Sequence, residues 1–178
     1  ILGRDVVLGT LAILAAVPLS IVWYATCVVM VKRFLIGRVQ PGRVSLYSTA
    51  WLRLWFLRYM LANTRQILMP LYATIYLPFF YRLLGARIGR NAEVSTVNEV
   101  IPDLLDLGEG SFLADECILG GIRIASGTAE VAPVRIGNRT FIGNSAVIRG
   151  GYTIGDDALV GVMSTPVRSV RSVPNGSQ

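Results

Sequence analysis

Residues 133–161 read PVRIGNRTFIGNSAVIRGGYTIGDDALVG, and the aliphatic residues of this stretch recur every six positions. The recurring residues are Ile136, Ile142, Ile148, Ile154 and Val160, and each is followed by Gly or Arg. An α-helix has a period of 3.6 residues and an ordinary strand a period of 2, so neither accounts for this spacing. A period of six is typical of a parallel β-helix, in which each unit is one short strand and a turn.

Two shorter runs with the same spacing precede this stretch. They contain Leu107, Leu113 and Leu119, and before them Ile88 and Val94. Chance pairing of aliphatic residues with glycine is the competing explanation, and three runs in one chain argue against it. The spacing therefore predicts a β-helix domain over residues 86–165 with these aliphatic residues in its interior. Phe112 and Phe141 are expected to pack near the same positions.

The N-terminal part contains a long uncharged segment, residues 6–31, and becomes basic directly after it. A helix of this length crosses a bilayer, since about 20 apolar residues span the hydrocarbon core. A buried helix of a soluble protein is the alternative. The basic residues are Lys32, Arg33, Arg38 and Arg43. Because excess positive charge marks the cytoplasmic end of a membrane helix, we expect a cell-membrane protein whose β-helix domain faces the cytoplasm.

Charge is distributed unevenly along the chain. Residues 1–87 carry ten basic side chains and one acidic one, whereas residues 88–178 carry seven basic and ten acidic. The basic residues of the first part flank apolar stretches, which favours membrane lipid over nucleic acid as a partner. We therefore expect interfacial or re-entrant helices over about 45–84, with a second membrane crossing as the alternative. The resulting division is a membrane region 1–85, a β-helix domain 86–165 and a tail 166–178.

The six-residue spacing is interrupted at residues 98–106, where one extra residue is inserted, and at residues 120–134. Loops that leave a rigid scaffold often carry function. Acidic residues collect at and after the first interruption, namely Glu99, Asp103, Asp106, Asp115 and Glu116. Carboxylates this close can raise one another's pKa and act as general acids or bases, or bind a divalent cation. The alternative is that each is a solvated turn residue.

Histidine is absent from the sequence. Its absence excludes a His-ligated zinc site, an imidazole base, and a Ser-His or Cys-His nucleophile within these residues. A catalytic base must therefore be a carboxylate, or a histidine must come from outside these residues. We expect neither a metal nor a cofactor bound within the chain.

Five motifs carry a family resemblance. They are PDLLDLGEGSFLAD (102–115), PVRIGNRTFIGNSAV (133–147), LVGVMSTP (159–166), WLRLW (51–55) and LLGARIG (83–89). Together they resemble the membrane-embedded C-terminal region of poly-amino-acid synthetases related to nonribosomal peptide synthetases, the ε-poly-L-lysine synthetase type. The resemblance implies hexapeptide-repeat domains with a left-handed coil. The expected fold is mainly β, a left-handed parallel β-helix preceded by a transmembrane helix and an interfacial or re-entrant segment.

The resemblance also implies a function. The tandem domains of that family join aminoacyl units, donated in trans by a phosphopantetheine-bound aminoacyl carrier, to a growing amino-acid chain. The implied partners are carrier and adenylation domains of the same or a larger polypeptide, and sister β-helix domains that form a trimer or pseudo-trimer. Some copies in the family carry a Gln-x-His motif where this chain reads Leu119-Gly120-Gly121-Ile122-Arg123.

The expected function is therefore that of an acyl- or aminoacyl-transferase-like domain forming amide bonds on the cytoplasmic face. A non-catalytic scaffold that supports sister catalytic domains is one alternative, and a free-standing membrane acetyltransferase is another. The acids expected to take a proton from the attacking amine or to bind its ammonium form are Asp103, Asp106 and Glu99. The residues expected to bind substrate are Asn98, Asp115, Glu116 and Asn144, of which Asn144 would hold the acyl carbonyl.

Overall fold

The computed structural model describes residues 2–166 and 171–177, with side chains from residue 4 onwards. Three α-helices occupy the first half of the chain: α1 Leu2–Val31, α2 Thr49–Ile67 and α3 Tyr76–Leu83. Three short helical turns accompany them: a π-helical turn Lys32–Ile36 after α1, and 3-10 turns Met69–Leu71 and Pro102–Leu104. Ser48 caps α2, because its Oγ accepts a hydrogen bond from the backbone N of Trp51 at 3.2 Å.

Helix α1 is apolar on all sides, and its residues 4–20 are exposed. Within the described part of the chain, Arg4–Ile36 is the one helix long and apolar enough to cross a membrane. Its mean hydropathy is 2.3, and none of its most apolar window is buried in the molecule. A helix that is hydrophobic all round and exposed differs from the usual surface helix, which has one apolar stripe. The predicted N-terminal helix is confirmed, and its length and composition are consistent with membrane association.

Fifteen short strands are seen in the described residues. Their bounds are β1 Gly42–Ser45, β2 Arg87–Ile88, β3 Glu93–Val94, β4 Val97–Val100, β5 Leu105–Leu107, β6 Phe112–Leu113, β7 Cys117–Leu119, β8 Arg123–Ala125, β9 Thr128–Val131, β10 Val134–Ile136, β11 Phe141–Ile142, β12 Val147–Ile148, β13 Thr153–Ile154, β14 Leu159–Val160 and β15 Ser172–Val173. They form three parallel sheets, which we call I (order β15-β13-β10-β5-β2), II (β14-β11-β6-β3) and III (β12-β7-β4). A fourth sheet is antiparallel, in the order β1-β9-β8.

The parallel sheets align the residues that recur every six positions. Ile136 pairs with Leu107 and Ile154 in sheet I, and Ile142 pairs with Leu113 in sheet II. All ten aliphatic residues predicted to be internal are buried, from fully buried Leu113 to 9% exposed Ile88. Their neighbours on each strand face outwards, because successive side chains of a strand point to opposite faces. The predicted core positions are therefore confirmed.

Two expectations about the fold are wrong. Helices account for 39% of the described structure and strands for 24%, so the molecule is an α/β fold of parallel sheets and helices, not a mainly β left-handed β-helix. The described strands are short, two to four residues each, and the helices of the first half contain more residues than the strands do.

Phe112 and Phe141 lie one position before buried residues and therefore face outwards. They stack on each other across sheet II with ring centroids 5.6 Å apart, and Phe141 is 40% exposed.

The second interruption of the spacing, residues 120–134, contains a β-hairpin. Strands β8 and β9 are joined by Ser126 and Gly127, whose φ angles are +48° and +73°. Two central residues with positive φ are the requirement of the tight hairpin turn. Strand β1, from the segment between α1 and α2, pairs antiparallel with β9, with Gly42 opposite Val131. The hairpin therefore joins the N-terminal half to the parallel sheets.

One corner between sheets I and II allows only glycine. A Cβ added at Gly137 would lie 2.6 Å from the backbone N of Asp156, and one at Gly89 would lie 2.5 Å from that of Glu109. The residues that follow the glycines are hydrogen-bonded to each other. Asn138 follows Gly137, and its backbone N donates to Oδ1 of Asp156, which follows Gly155, at 2.7 Å. Close backbone contact and side-chain hydrogen bonds therefore stack successive turns.

The predicted tail, residues 166–178, continues this stacking where it is described. Strand β15 pairs in parallel with β13, with Ile154 opposite Val173, so this part packs on the sheets. Asn175 Oδ1 accepts a hydrogen bond from the backbone N of Asp156 at 2.9 Å. Residues 167–170 of the predicted tail lie outside the described residues.

Replacing Gly137 by Ala should destabilise the protein by about 1–3 kcal/mol, the usual cost of overpacking a well-packed site. The methyl group meets backbone atoms, which cannot move aside as a side-chain tip can. Thermal unfolding in detergent, followed by circular dichroism, measures the effect. Gly161→Ala is the matched control, because a Cβ there would meet its nearest atom, Ser164 Oγ, at an ordinary 3.5 Å. Equal unfolding temperatures for the two variants would contradict the close-contact argument.

Candidate functional site

Asp103 forms a buried ion pair at the end of α1. Its Oδ2 lies 2.7 Å from Nζ of Lys32, and the two side chains are 5% and 4% exposed. Lys32 Nζ also donates to the carbonyl of Gly37 at 2.7 Å, and the backbone N of Val39 donates to Asp103 Oδ2 at 2.9 Å. Gly85 lies against Asp103 Oδ1, where a Cβ would collide with the carboxylate. The geometry thus gives Asp103 a role in holding α1 to the sheets.

Asp106 lies elsewhere, on the outer face of sheet I. Its Oδ2 accepts a hydrogen bond from Nη2 of Arg87 at 2.8 Å, and the Arg87 side chain is 69% exposed and that of Asp106 38%. The two residues are cross-strand neighbours in register. The pair borders an open depression also lined by Arg82, Glu109 and Asn138. Asp103 and Asp106, expected to work together, therefore contact different cations.

Four predicted binding residues do come together at the corner between sheets II and III. The backbone N of Asp115 donates to Oδ1 of Asn144 at 3.2 Å, and Nδ2 of Asn98 donates to the carbonyl of Glu116 at 3.3 Å. The Asp115 carboxylate accepts hydrogen bonds from the Ser95 and Thr96 hydroxyls. Glu116 has a φ of +60°, the conformation of a tight turn. These hydrogen bonds join one turn to the next, so the cluster stabilises the corner.

Glu99 lies in a cavity of about 290 Å³ between α2 and β4. The lining residues are Trp55, Arg58, Tyr59, Leu61, Ala62, Tyr72, Tyr81, Val97, Asn98, Glu99 and Val100. The pairing of β4 with β7 shifts register between Val97 and Glu99, so β4 has a bulge here. A bulge re-aims the side chains beside it and is common next to active sites.

The Glu99 carboxylate retains hydrogen-bonding capacity. Its Oε1 lies 2.7 Å from Nη2 of Arg58, and the side chains are 24% and 38% exposed. The Oε1 atom itself is buried and accepts no hydrogen bond of good geometry among the described residues. A buried carboxylate oxygen needs a donor or a counter-charge, and Arg58 supplies the counter-charge here. Because the Glu99 side chain is partly exposed, its carboxylate can still contact a molecule bound in the cavity.

Aromatic residues form much of the remaining wall. Trp55 and Tyr59 stack with ring centroids 5.7 Å apart on one face of α2. Burial raises the pKa of Tyr81 well above its usual range, and burial likewise raises the pKa of Tyr72, to which Tyr81 is hydrogen-bonded. Both phenols are therefore neutral near pH 7. Aromatic faces beside a carboxylate suit a cationic or amine-bearing ligand.

Sequence reasoning found Glu99 and Asn98 but missed Arg58, Tyr72 and Tyr81. The Trp-Arg segment 51–55 was assigned to the membrane surface, and no periodicity connects it with the interruption at residues 98–106. No group of three or more Cys, Asp or Glu side chains placed to hold a metal ion occurs in the described ranges. Of the seven predicted site residues, Glu99 and Asn98 line the cavity, although Glu99 also pairs with Arg58 and Asn98 also donates to Glu116. The other five lie outside the cavity, in ion pairs or turn hydrogen bonds.

Comparison with known proteins gives one informative similarity. The chain is 41% identical over 133 residues to delta-poly-L-ornithine synthetase of Acinetobacter baumannii (strain AB307-0294). The match covers 75% of this chain and 10% of the relative, so the chain corresponds to a small part of that protein. No family model matches the sequence, and no solved structure gives a significant match. The chain is therefore related to a poly-amino-acid synthetase.

Replacing Asp103 by Leu should destabilise the fold by about 3–5 kcal/mol, because Lys32 is left buried without its counter-charge. The double variant Lys32→Met, Asp103→Leu should lose less stability than the sum of the two single variants. Denaturant unfolding in detergent of the four proteins measures the coupling. Additive losses would contradict a buried pair that acts as a unit.

Cys117 should be unreactive in the folded protein. Burial raises the pKa of its thiol to about 11, so the reactive thiolate is scarce at pH 8. The folded thiol holds its proton more tightly than an exposed thiol, whose pKa is 9.0. The contribution of Cys117 to stability is therefore complete below that pH. It is lost as the pH rises towards the folded pKa.

Alkylation of a Cys27→Ser variant by iodoacetamide at pH 8 tests this, because Cys117 is then the remaining thiol. Modification should be slow in the folded state and fast after denaturation. Rapid labelling of the folded protein would show that the thiol is accessible.

Proposed function

We propose that the chain is a membrane-associated part of a poly-amino-acid synthetase and takes part in forming amide bonds between aminoacyl units. The supporting observation is the 41% identity to a poly-amino-acid synthetase, combined with a cavity built around the Glu99 carboxylate. The donor in this proposal is an aminoacyl group on a phosphopantetheine-bearing carrier, supplied in trans by the larger polypeptide. The acceptor is an amine.

Glu99 would bind the acceptor amine. An ammonium group would bind the part of the carboxylate that is open to the cavity, and the Trp55 and Tyr59 rings would flank its positive charge. Arg58 keeps the carboxylate oriented through its contact with Oε1 at 2.7 Å. Asn98 lines the same cavity and can contact the acyl donor. Glu99 takes precedence over Asp103 and Asp106 because neither of those acids lines this cavity.

The reaction step balances without an external reductant or oxidant. The ammonium gives one proton to Glu99, from which it passes to water, and the free amine attacks the thioester carbonyl. The C–N bond forms, the C–S bond breaks, and the thiolate leaves with the second amine proton as a thiol. A positioned carboxylate acts here as a general base. No imidazole is needed, which suits a sequence without histidine.

The proposed location is the cytoplasmic face of the cell membrane. Helix α1 would cross the bilayer, and Arg33, Arg38 and Arg43 after it would lie on the cytoplasmic side. The parallel sheets would then face the same compartment as the carrier and adenylation domains. Sister domains of similar fold, in a trimer or pseudo-trimer, complete the proposed assembly.

A scaffold without its own chemistry is the second candidate. It is favoured by the engagement of five predicted site residues in ion pairs or turn hydrogen bonds. In this case the chain would place catalytic neighbours near the bilayer, and Glu99 with Arg58 would only join α2 to β4. If Glu99 is a catalytic base, removing its charge lowers polymer formation. If the chain is a scaffold, removing that charge leaves polymer formation unchanged.

Replacing Glu99 by Gln in the full-length synthetase should lower polymer formation by about 10²–10⁴-fold, the usual contribution of a general base. Gln keeps the size and an oxygen for Arg58 but cannot accept the proton. Incorporation of radiolabelled amino acid into polymer measures the step, and carrier loading is measured separately to show that earlier steps are intact.

Glu130→Gln is the control, because Glu130 lies on the exposed hairpin, 3.9 Å from Arg43. It should leave both readouts unchanged. Wild-type polymer formation by Glu99→Gln, with normal loading, would refute the catalytic role and favour the scaffold.

A further inference from the structure

We infer that the turn between α2 and α3 inserts exposed apolar side chains into the bilayer beside α1. We call this turn, residues 67–76, the α2–α3 tip. The inference rests on the membrane location proposed above for α1. It adds a second, independent contact between this chain and lipid.

Helix α2 runs back along α1 towards its uncharged part. Near the beginning of α2, Leu54 belongs to the same buried cluster as Ile36, which follows α1. Near its end, the Thr64 hydroxyl lies 3.4 Å from the hydroxyl of Tyr24, within hydrogen-bonding distance. A helix rises about 1.5 Å per residue, so Tyr24 lies about 10 Å before Val31, the end of α1. The two helices are therefore antiparallel, and α2 ends level with the apolar segment.

Helix α3 returns in the opposite direction. Arg33 Nε donates to the carbonyl of Leu83, the last residue of α3, at 3.4 Å. The other end of α3, at Tyr76, therefore lies on the same side as Tyr24. Arg33 therefore lies at the end of this helical hairpin opposite the tip. The tip itself has no charged side chain, as expected of an element that enters a bilayer.

The tip holds its apolar side chains outwards. Met69 is 73% exposed and Ile75 is 83% exposed, and the exposed surface continues over Ile67, Tyr76 and Phe79. Leu68 and Leu77 are fully buried in the cluster that also contains Val28 of α1, which fixes the tip against that helix. A contiguous apolar surface of this kind is rare on soluble proteins and marks an interaction site. Lipid is the partner because this surface continues the exposed apolar surface of α1.

The insertion is shallow. Asn63 and Gln66 are exposed and precede the tip, and amide groups of this kind belong at the headgroup level. Arg65 can extend its guanidinium to the same level, as long basic side chains do at membrane surfaces. An interfacial element buries its apolar face about 5–10 Å into the boundary between headgroups and acyl chains. That depth agrees with the position of the tip relative to Val31.

Photo-crosslinking to lipid tests the inference. The photoreactive residue p-benzoylphenylalanine replaces Met69 or Ile75 in the full-length polypeptide, in vesicles of phosphatidylethanolamine and phosphatidylglycerol. Leu14, exposed in the middle of α1, reports on the membrane helix, and Leu159, exposed on sheet II, is the control. After irradiation, mass spectrometry should find lipid adducts at Leu14, Met69 and Ile75, and only background at Leu159.

The outcomes separate this inference from the proposal on which it rests. Lipid adducts at Leu14 without adducts at Met69 and Ile75 would overturn the insertion of the tip and leave the membrane helix in place. Absence of adducts at Leu14 would overturn the membrane location and the inference with it. Protein adducts in place of lipid at Ile75, or equal lipid labelling at Leu159, would also overturn the inference.

Discussion

The buried ion pair between Lys32 and Asp103 determines how the two halves of the molecule meet. Lys32 is the first residue after α1, and Asp103 lies in the 3-10 turn that precedes sheet I strand β5. Two charges removed from water are tolerated only when they contact each other and have further hydrogen bonds. The Gly37 carbonyl and the Val39 amide supply those bonds, so the end of α1 and the chain after it are fixed together.

The cavity at Glu99 depends on the position of α1 that this ion pair fixes. Once α1 is fixed, α2 packs against it and against β4, and the cavity forms between α2 and the bulge of β4. The positive partner of Glu99 comes from α2 and the carboxylate from the sheets. A small shift of α2 would therefore change the distance that orients Glu99. In the proposed enzyme, the membrane helices would position an acceptor site that is otherwise part of the sheets.

The N-terminal helix and the buried aliphatic residues could be predicted from the sequence. Residues 6–31 lack charge, and the aliphatic residues from Ile88 to Val160 keep a regular spacing, so a long helix and a buried set of side chains followed directly. The extra residue of the first interruption lies between Val100 and Leu107, where the structure has the 3-10 turn Pro102–Leu104. These features are local in sequence or strictly periodic.

Other features depend on contacts between distant segments. Arg58 and Glu99 are far apart in the chain, and no spacing rule connects a residue of α2 with the one residue of β4 that faces it. Acidic residues close in sequence were expected to share a site, yet Asp103 and Asp106 contact different cations because one lies in a turn and the other on a strand face. The predicted fold class was wrong because it was based on the regular spacing, which describes only the strands. The helices occupy more of the molecule than the strands do.

The antiparallel sheet has a consequence for shortened versions of the chain. Strand β1 is contributed by the segment between α1 and α2, whereas β8 and β9 project from the parallel sheets. A polypeptide beginning after residue 85 would lack β1, and β9 would become an edge strand with unpaired amides and carbonyls. Ala129 and Val131, both buried in the intact molecule, lie on that strand. An unpaired edge beside apolar side chains promotes self-association, so the smallest piece that keeps this sheet intact begins before Gly42.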